Sequence, residues 1–364
     1  MTDKTQKIES AHAHRKDEHL SLAIWQWRNN RPFNDLRYLQ LDRPILPNVA
    51  VKDVDTSVTL FGHRFQWPFY IEAMTGGSLR TGAINQKLSQ IAKKYDLAMA
   101  VGSESIAIKE KETRKSFSIV REENPEGFIF ANIGAGHSAQ DAKEAIKIVD
   151  ADALEIHVNA VQELSMNDGD RDFTKWQSNI TQIIDQVSVP VIIKEVGFGM
   201  SQTAIETLSA LQPAAINVAG SGGTDFGRIE ERRNRTPLWQ LLADGLDPED
   251  DDSENDSDDP EMADVLTSND YLGISTSDSL RFARQADTQT PIIANGGITN
   301  TPELFNALAL GAKMAGVAGY FLFQLSKHQL GETIESWQKQ LPLLYAMYGV
   351  KKSSQIAALK ELNR

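Results

Sequence analysis

Eight short apolar runs, rich in β-branched residues, follow one another from about residue 69 and constrain the fold more than any other feature. They read FYIEA (69–73), LAMAV (97–101), FIFAN (128–132), ALEIH (153–157), PVIIK (190–194), AAINV (214–218), PIIAN (291–295) and KMAGVA (313–318). Amphipathic stretches separate them, an alternation that is typical of βα units around a parallel sheet. Eight units predict an α/β fold, a closed (β/α)₈ TIM barrel.

The remaining segments are predicted to be additions to this barrel within one domain, residues 1–364. Residues 1–68 would form an N-terminal arm and a small hairpin that closes the barrel bottom, with its turn in FGHRF (61–65). The barrel itself would span 69–325, and C-terminal helices would occupy 326–364.

An acidic segment lies between the sixth and seventh predicted strands. Residues 244–264 carry twelve acidic side chains and no basic one; without them the chain has 37 basic and 38 acidic side chains, although its net charge is −13. The segment has no hydrophobic periodicity, which predicts a disordered insertion in a loop. A solvated loop is the simplest interpretation, and a cation-binding or salt-adaptive role is the alternative.

Composition excludes several classes of protein. The near-neutral body shows no broad basic face, which argues against a nucleic-acid partner. The chain has no cysteine, so disulfides, thiolate zinc sites, iron–sulfur clusters and cysteine nucleophiles are excluded. The polar N-terminus and the lack of any run of eighteen apolar residues predict a cytoplasmic protein without a membrane partner.

Small and polar residues follow most of the predicted strands, and a barrel brings these segments to one rim. After the seventh and eighth strands, ANGGI (294–298) and GVAG (316–319) have the pattern of a phosphate site, in which backbone N–H groups at helix starts face an anion. After the sixth, NVAGSGGTDFG (217–227) adds N–H and hydroxyl donors. A bound phosphorylated cofactor is predicted, although plain turn glycines remain an alternative. The candidate ligands are Gly296, Gly297, Ala318, Gly319, Ser221 and Thr224.

Lys194 ends the otherwise apolar fifth strand, where an unpaired ammonium would be costly to bury. A flavin ring suits this position, because a cation stabilises the reduced, anionic ring; a salt bridge to Glu195 or Glu155 is the alternative. EAMTGG (72–77), which includes Ala73, GSES (102–105) and Asn132 add small or polar groups beside a flat heterocycle.

The stretch EIHVNAVQE (155–163) places His157, Asn159, Gln162 and Glu163 after the fourth strand. These groups suit a polar substrate head, a proton relay and a metal held through one carboxylate, and Glu163 is predicted to be the single protein ligand of Mg²⁺. His157 alone would also fit a structural histidine.

Near the N-terminus, HRKDEH (14–19) is a dense patch of charge. Arg15 and Lys16 are predicted to clamp a diphosphate, since arginine offers a bidentate fork and lysine a point charge. A solvated polar arm is the alternative.

Together these motifs resemble one family, the FMN-dependent type 2 isopentenyl-diphosphate isomerases. RKDEH, MTGG, ANIGAG, HVNAVQE, KEVGFG, SGGT and NGGI follow in the family's order over about residues 14–325. The resemblance implies that the protein interconverts isopentenyl and dimethylallyl diphosphate in isoprenoid biosynthesis, with FMN, Mg²⁺ and NADPH to reduce the flavin. It also implies a tetramer or an octamer.

The resemblance also implies residue roles. FMN contacts would be Met74, Thr75, Ser103, Asn132, Lys194, Thr224, Gly296, Gly297, Ala318 and Gly319. Substrate contacts would be Arg15, Lys16, His157, Asn159 and Gln162, with Glu163 at the metal. The residues expected to act in catalysis are His157, Gln162, Glu163 and Lys194.

Two features depart from the family. Many members have an arginine where this chain has Ser105, which puts one phosphate contact in doubt. The acidic insertion is also foreign to the family pattern, which resumes at NDYLGIST (269–276).

Four alternatives remain. An FMN-dependent 2-hydroxy-acid oxidase or dehydrogenase shares the barrel but needs a histidine and an arginine after the sixth strand, where AGSGGT has neither. An inosine-monophosphate dehydrogenase-like barrel needs a cysteine. IGAGHSA (133–139) imitates a dinucleotide fingerprint, but Glu155 lies inside its predicted strand. A binding barrel without catalysis is the fourth.

Overall fold

A computed structural model of the chain describes residues 10–29, 34–166, 169–234 and 272–362. The predicted acidic insertion, residues 244–264, lies outside the described residues. Two short strands precede the barrel, β1 (Val58–Leu60) and β2 (His63–Phe65), and they pair antiparallel. Phe61 and Gly62 connect them with φ values of 56° and 74°, the left-handed pair that a tight two-residue hairpin requires.

Eight parallel strands then close into a barrel, so the predicted fold is confirmed. Each strand pairs with the next, and the last pairs with the first. Every apolar run that the sequence singled out coincides with one of them, and only β5 extends beyond its run, to Gly134. The strands are β3 (Phe69–Ile71), β4 (Met99–Ala100), β5 (Ile129–Gly134), β6 (Ala153–His157), β7 (Val191–Lys194), β8 (Ala215–Asn217), β9 (Ile292–Ala294) and β10 (Met314–Val317).

Helices connect the strands and extend both ends of the chain. Their bounds are α1 (Ala11–Asn29), α2 (Leu79–Tyr95), α3 (Ser105–Lys109), α4 (Lys115–Glu123), α5 (Ala139–Val149), α6 (Ala160–Ser165), α7 (Trp176–Gln186), α8 (Gln202–Ser209), α9 (Phe226–Asn234), α10 (Thr276–Gln285), α11 (Thr301–Ala309), α12 (Gly319–Ser326), α13 (Leu330–Met347) and α14 (Ser353–Ile356). None of the described helices has the length and apolar character needed to cross a membrane.

Local sequence explains where these helices begin and which face they bury. The Ser138 hydroxyl accepts a hydrogen bond from the Asp141 N–H, and the Asp141 carboxylate accepts one from the Ser138 N–H, a capping box that starts α5. Ala139, Ala142, Ala145 and Val149 then recur at helical spacing and are buried. The helix therefore packs its small-residue face against the barrel.

The lower half of the barrel interior is filled with apolar side chains. Tyr70 and Phe130 stack with 5.1 Å between ring centroids, and Phe128 lies 5.1 Å from Phe130. The hairpin closes this layer from below, because Phe65 packs edge-on against Phe128 at 4.9 Å and Leu60 joins the same cluster. The amino end of the barrel is thus sealed, and space for a ligand is left at the carboxyl end.

Phe130 tests this packing, since its ring is fully buried between the strands and the hairpin. We expect Phe130→Ala to lower the free energy of unfolding by about 3–5 kcal/mol, because the lost burial is accompanied by a cavity. Leu46→Ala, at a side chain that is 86% exposed, is the control and should change it by less than about 0.5 kcal/mol. Guanidinium denaturation measures both; equal losses would contradict a packed interior.

Candidate functional site

A cavity of about 500 Å³ opens at the carboxyl end of the barrel strands. The segments after all eight strands contribute to its wall, and side chains of α1 cover it. Residues from 12 to 320 therefore meet at one place, as the rim position of these segments predicted.

The loops after β8, β9 and β10 form one side of the cavity. Gly296 and Gly297 have φ values of 106° and 72°, which allow the backbone to turn sharply after β9. Helix α12 begins at Gly319, and its N-cap residue Ala318 makes no side-chain hydrogen bond to the first turn. Backbone N–H groups there remain available to an anion. Of the predicted phosphate ligands, these loops bring Thr224, Gly296, Gly297, Ala318 and Gly319 to the wall.

Two predicted cofactor residues do not line the cavity. The Thr75 side chain donates a hydrogen bond to Asn85, and its carbonyl oxygen accepts one from the Gly102 N–H at 2.7 Å. Ser221 instead pairs with Ser275 in an isolated parallel β-bridge. Thr75 is 3% exposed and holds the loops after β3 and β4 together. A role for either residue in cofactor binding remains a prediction.

The cavity floor contains a buried ion cluster centred on Lys194. Its ammonium donates to Glu72 at 2.7 Å and to Glu155 at 3.3 Å. Of the two salt-bridge partners weighed for Lys194, Glu155 is therefore present. Glu195 is absent from the cluster, because its carboxylate accepts hydrogen bonds from the backbone N–H groups of the next three residues instead. Lys194 itself lines the cavity.

Glu72 is the charged partner that the sequence reasoning missed. Its carboxylate accepts hydrogen bonds from Tyr70 at 2.7 Å, from Asn217 at 2.6 Å and from Asn295 at 3.2 Å. The sequence could have indicated it, because alternate residues of a strand point to the same side and Glu72 is two residues after the inward-facing Tyr70. The same rule identifies Asn217 and Asn295.

The two carboxylates of this cluster have opposite pKa shifts. Burial would raise the pKa of Glu72, but the charge of Lys194 and its hydrogen bond lower it below the usual value. Burial, followed by the charge of Glu72, raises the pKa of Glu155 to about 8. One ammonium neutralises one carboxylate, so Glu155 is a neutral acid at pH 7.

His157 lies above this cluster and is tied to it through Asn132. The His157 Nδ1 is 2.9 Å from the Asn132 Oδ1, and the Asn132 Nδ2 donates to Glu155 at 3.0 Å. Because an amide oxygen only accepts, Nδ1 carries the proton and Nε2 is left as an acceptor. Burial, with the charges of Lys194 and Lys16, lowers the His157 pKa to about 3. His157 is thus a neutral hydrogen-bonding group.

The segment after β6 brings Asn159, Gln162 and Glu163 to the wall. The Asn159 Oδ1 accepts from the Gln162 N–H at 2.8 Å and caps α6, whereas its buried Nδ2 has no hydrogen-bond partner in the described part of the chain. A buried donor without an acceptor is costly, so this Nδ2 suits a ligand. Glu163 accepts from the Asp170 N–H at 2.9 Å.

Helix α1 covers the cavity of its own chain. Trp27 donates its indole N–H to the Thr224 hydroxyl at 3.1 Å, and Gln26 exchanges two hydrogen bonds with the Asp225 backbone. Lys16 donates to the Ser103 carbonyl at 3.3 Å. Burial and the neighbouring Arg15 lower the Lys16 pKa to about 8. Arg15 and Lys16 both line the cavity, as do Ala73, Met74 and Ser103.

Several cavity residues had no role in the sequence predictions. They are His12, His19 and Trp27 of α1, His137 after β5, and Asp170 and Trp176 after β6. The α1 residues recur at helical spacing in one polar segment, a signal that was available. His137 and Asp170 lie in loops and Trp176 begins α7 after a loop, so residue spacing does not indicate the direction of these side chains.

Glu155 provides a test of the ion cluster. At pH 6 to 7 we expect an infrared band from a protonated carboxylic acid, because its pKa is near 8, and we expect the band to disappear as the pH rises through that value. Burial also raises the pKa values of Glu104 and Glu195, so the assignment is made by difference: the part of the band that disappears near pH 8 should be missing in Glu155→Gln. Glu335→Gln, at an exposed carboxylate outside the cluster, is the control and should keep this part of the band; if the band persists unchanged in Glu155→Gln, the assignment of the proton is wrong.

Comparison with known proteins agrees with this geometry. A family model described as FMN-dependent dehydrogenase matches residues 105–361. The isopentenyl-diphosphate delta-isomerase of Lactococcus lactis subsp. lactis (strain IL1403) is 42% identical over 357 residues, which cover 96% of this chain and 93% of that protein. The protein of the same name from Limosilactobacillus reuteri subsp. reuteri (strain JCM 1112) is 40% identical, with 97% and 95% coverage.

Among solved structures, mandelate oxidase with (S)-2-phenylpropionate superposes with a TM-score of 0.58 at 11% identity, covering 96% of this chain and 97% of that one. At this identity the likeness shows the fold alone. The family match and the relatives carry more weight, since both extend over most of the chain. The chain therefore belongs to the FMN-dependent dehydrogenase family and, within it, to the isopentenyl-diphosphate delta-isomerases.

Proposed function

We propose that this protein is an isomerase that interconverts isopentenyl and dimethylallyl diphosphate in isoprenoid biosynthesis, by flavin-assisted proton transfer without net redox change. One observation carries the proposal: a single cavity has two separate regions suited to anions. The loops after β8 to β10 form one, near Trp27, and Lys16 marks the other. Eleven residues of α1 separate Trp27 from Lys16, about 16 Å along a helix.

The first region fits the phosphate of FMN. It offers backbone donors at the start of α12 and the Thr224 hydroxyl, with no acidic side chain on these loops at the wall. Thr224, Gly296, Gly297, Ala318 and Gly319 would hold the phosphate. Ala73, Met74, Ser103, Asn132 and Lys194 would surround the ring. When bound in its reduced form, FMN supplies an electron-rich face and a protonatable nitrogen.

The second region fits a diphosphate. Lys16 is partly buried next to Arg15, and a polyanion would offset the burial and the repulsion from Arg15 that lower the Lys16 pKa. The unpartnered Nδ2 of Asn159 adds a neutral donor, and Gln162 stands one turn further along. Binding energy would then come from the charged end of the substrate and position its hydrocarbon end over the floor.

Glu163 is the candidate ligand for Mg²⁺. The described residues contain no group of three or more histidine, cysteine, aspartate or glutamate side chains arranged to hold a metal. A single carboxylate with substrate oxygens and water matches how this ion usually binds. By the resemblance to its family, NADPH would reduce the flavin, and the protein would act as a cytoplasmic tetramer or octamer.

The ionisable groups on the floor of the cavity fit a reaction in which these groups themselves keep the same charge. His157 is held neutral, and its Nε2 would accept a hydrogen bond from the substrate head or a water. Lys194 stays cationic, because burial is outweighed by Glu155 and Glu72, which raise its pKa. A fixed cation on the floor favours an anionic ring above it.

The alternative, a 2-hydroxy-acid oxidase or dehydrogenase, finds less support. That chemistry needs a histidine base and an arginine for the substrate carboxylate near the end of β8. Residues 218–225 there read VAGSGGTD and contain neither. The likeness to mandelate oxidase extends to the fold and no further.

The deciding experiment reduces the flavin with dithionite under nitrogen and adds isopentenyl diphosphate and Mg²⁺. We expect dimethylallyl diphosphate to form without nicotinamide, and the flavin to remain reduced after many turnovers, because no electrons are consumed. Product is measured by chromatography and the flavin by its absorbance. Flavin oxidation in step with product would indicate net redox chemistry and contradict the proposal.

Gly319 tests the FMN region by a readout other than activity. A Cβ at this position would overlap the Thr224 hydroxyl and the Trp27 indole nitrogen. We expect Gly319→Ala to weaken FMN binding to the flavin-free protein by about tenfold or more, the effect of losing about 1.4 kcal/mol. Flavin fluorescence titration measures the affinity.

Gly331→Ala is the matched control, since its added methyl group would meet only the Tyr95 side chain, at 3.0 Å from its hydroxyl. Gly331 belongs to α13, outside the cavity wall. Equal affinities for the two variants would remove the start of α12 from the cofactor site.

A further inference from the structure

Four side chains form a continuous hydrogen-bonded row along one wall of the cavity. Asp141 lies 3.4 Å from the Nδ1 of His137, the Nε2 of His137 lies 2.7 Å from the Ser105 hydroxyl, and Ser105 lies 2.9 Å from the Ser103 hydroxyl. The segments after β4 and β5 supply them: Ser105 is the first residue of α3, and Asp141 lies in the first turn of α5. Ser103, Ser105 and His137 line the cavity, so the row borders the ligand space.

Asp141 fixes which nitrogen of His137 carries a proton. Its carboxylate accepts hydrogen bonds from the Ser138 N–H at 3.0 Å and from the Ser138 hydroxyl at 2.9 Å. Although burial opposes ionisation, these bonds and His137 lower the Asp141 pKa. An ionised carboxylate only accepts, so the Nδ1 of His137 is the protonated atom.

The row then has two states that differ by one proton. With neutral His137, the Nε2 accepts from Ser105 and Ser105 accepts from Ser103, so both hydroxyl protons are used within the row. When the Nε2 gains a proton, it donates to Ser105, and both hydroxyl groups are then free to donate away from His137. The row therefore ends in an O–H donor toward the cavity only when His137 is charged.

We propose that this row is a proton-linked clamp for the substrate diphosphate: His137 takes up one proton from solvent as the anion binds, and Ser105 and Ser103 then donate to its oxygen atoms. The proposal rests on the proposed function, because it assumes a diphosphate ligand. The position of Lys16 supports it, since its ammonium donates to the Ser103 carbonyl at 3.3 Å and lies at the end of the row. The proton returns to solvent when the product leaves.

The surrounding charges give the row its dependence on ligand. A diphosphate would bring negative charge to this end of the cavity, and negative charge nearby favours the charged form of an imidazole. Asp141 and Asp170 favour the proton, and His157 is held neutral. The other charged or titratable side chains at this end of the cavity are Arg15, Lys16, His12, Lys109 and Glu163. His12 lies 2.8 Å from Glu110 and is paired with it.

The test is calorimetric titration of the FMN-loaded protein with inorganic pyrophosphate at pH 7.5, in two buffers of different ionisation enthalpy. We expect the wild type to take up close to one proton more than His137→Gln. Proton exchange by pyrophosphate itself is common to both proteins and cancels in the difference.

By linkage, the wild-type Kd should also increase with pH more steeply than that of the variant, by up to about tenfold per pH unit. His63→Gln, at an exposed side chain of the hairpin, is the matched control and should keep the full proton uptake. Ser105→Ala interrupts the row without touching a histidine and should also lose the extra proton, so it replaces His137→Gln if that variant fails to retain FMN.

Isomerase turnover, measured separately, distinguishes the two proposals. Turnover by the wild type without extra proton uptake, whether or not pyrophosphate binds, overturns the clamp and leaves the proposed function intact. Absence of turnover with reduced FMN overturns the proposed function and the clamp with it. Turnover together with uptake that is lost in His137→Gln and Ser105→Ala, and kept in His63→Gln, supports both.

Discussion

A single buried ammonium shared between two buried carboxylates is the interaction on which the arrangement of the cavity depends. Lys194 holds Glu72 and Glu155, and through them the side chains of Tyr70, Asn132, Asn217 and Asn295. Six of the eight strands or the residues that end them are thereby linked across the barrel axis. Removing the cation would leave an uncompensated buried charge, which typically costs about 3–5 kcal/mol. The same cluster sets the polarity of the cavity floor.

The sequence was sufficient to predict the strands and the rim, for physical reasons. Strands buried on both faces must be apolar throughout, which makes runs such as PVIIK recognisable, and glycines after them mark backbone that approaches a ligand closely. The positions of Gly296, Gly297 and Gly319 followed from strand order alone. Side-chain direction could also be predicted inside the strands, because alternate residues point to the same side. Since Tyr70 points into the barrel, the same rule predicts that Glu72 does too.

Outside regular elements the sequence carried less information. Thr75 and Thr224 both follow strands and both read as hydroxyl donors, yet Thr75 turns to Asn85 while Thr224 reaches the cavity wall. The loop conformation decides this, and no periodicity encodes it. The row from Asp141 to Ser103 also required structure, because its members lie 38 residues apart at the extremes and follow two different strands, β4 and β5. Ser105 stands where many family members have an arginine, and its hydroxyl lies 2.7 Å from the Nε2 of His137.

The hairpin of β1 and β2 determines the end of the barrel at which a ligand can enter and leave. With the amino end plugged by Phe65 and Leu60, a ligand in the cavity has to pass the side covered by α1. A flavin bound deep in the cavity would have to bind before the small phosphorylated hydrocarbon and remain bound after that molecule leaves. The path of the outer ligand therefore runs along the first helix, which is held to the rim by the hydrogen bonds from Lys16 to the Ser103 carbonyl and from Trp27 to the Thr224 hydroxyl.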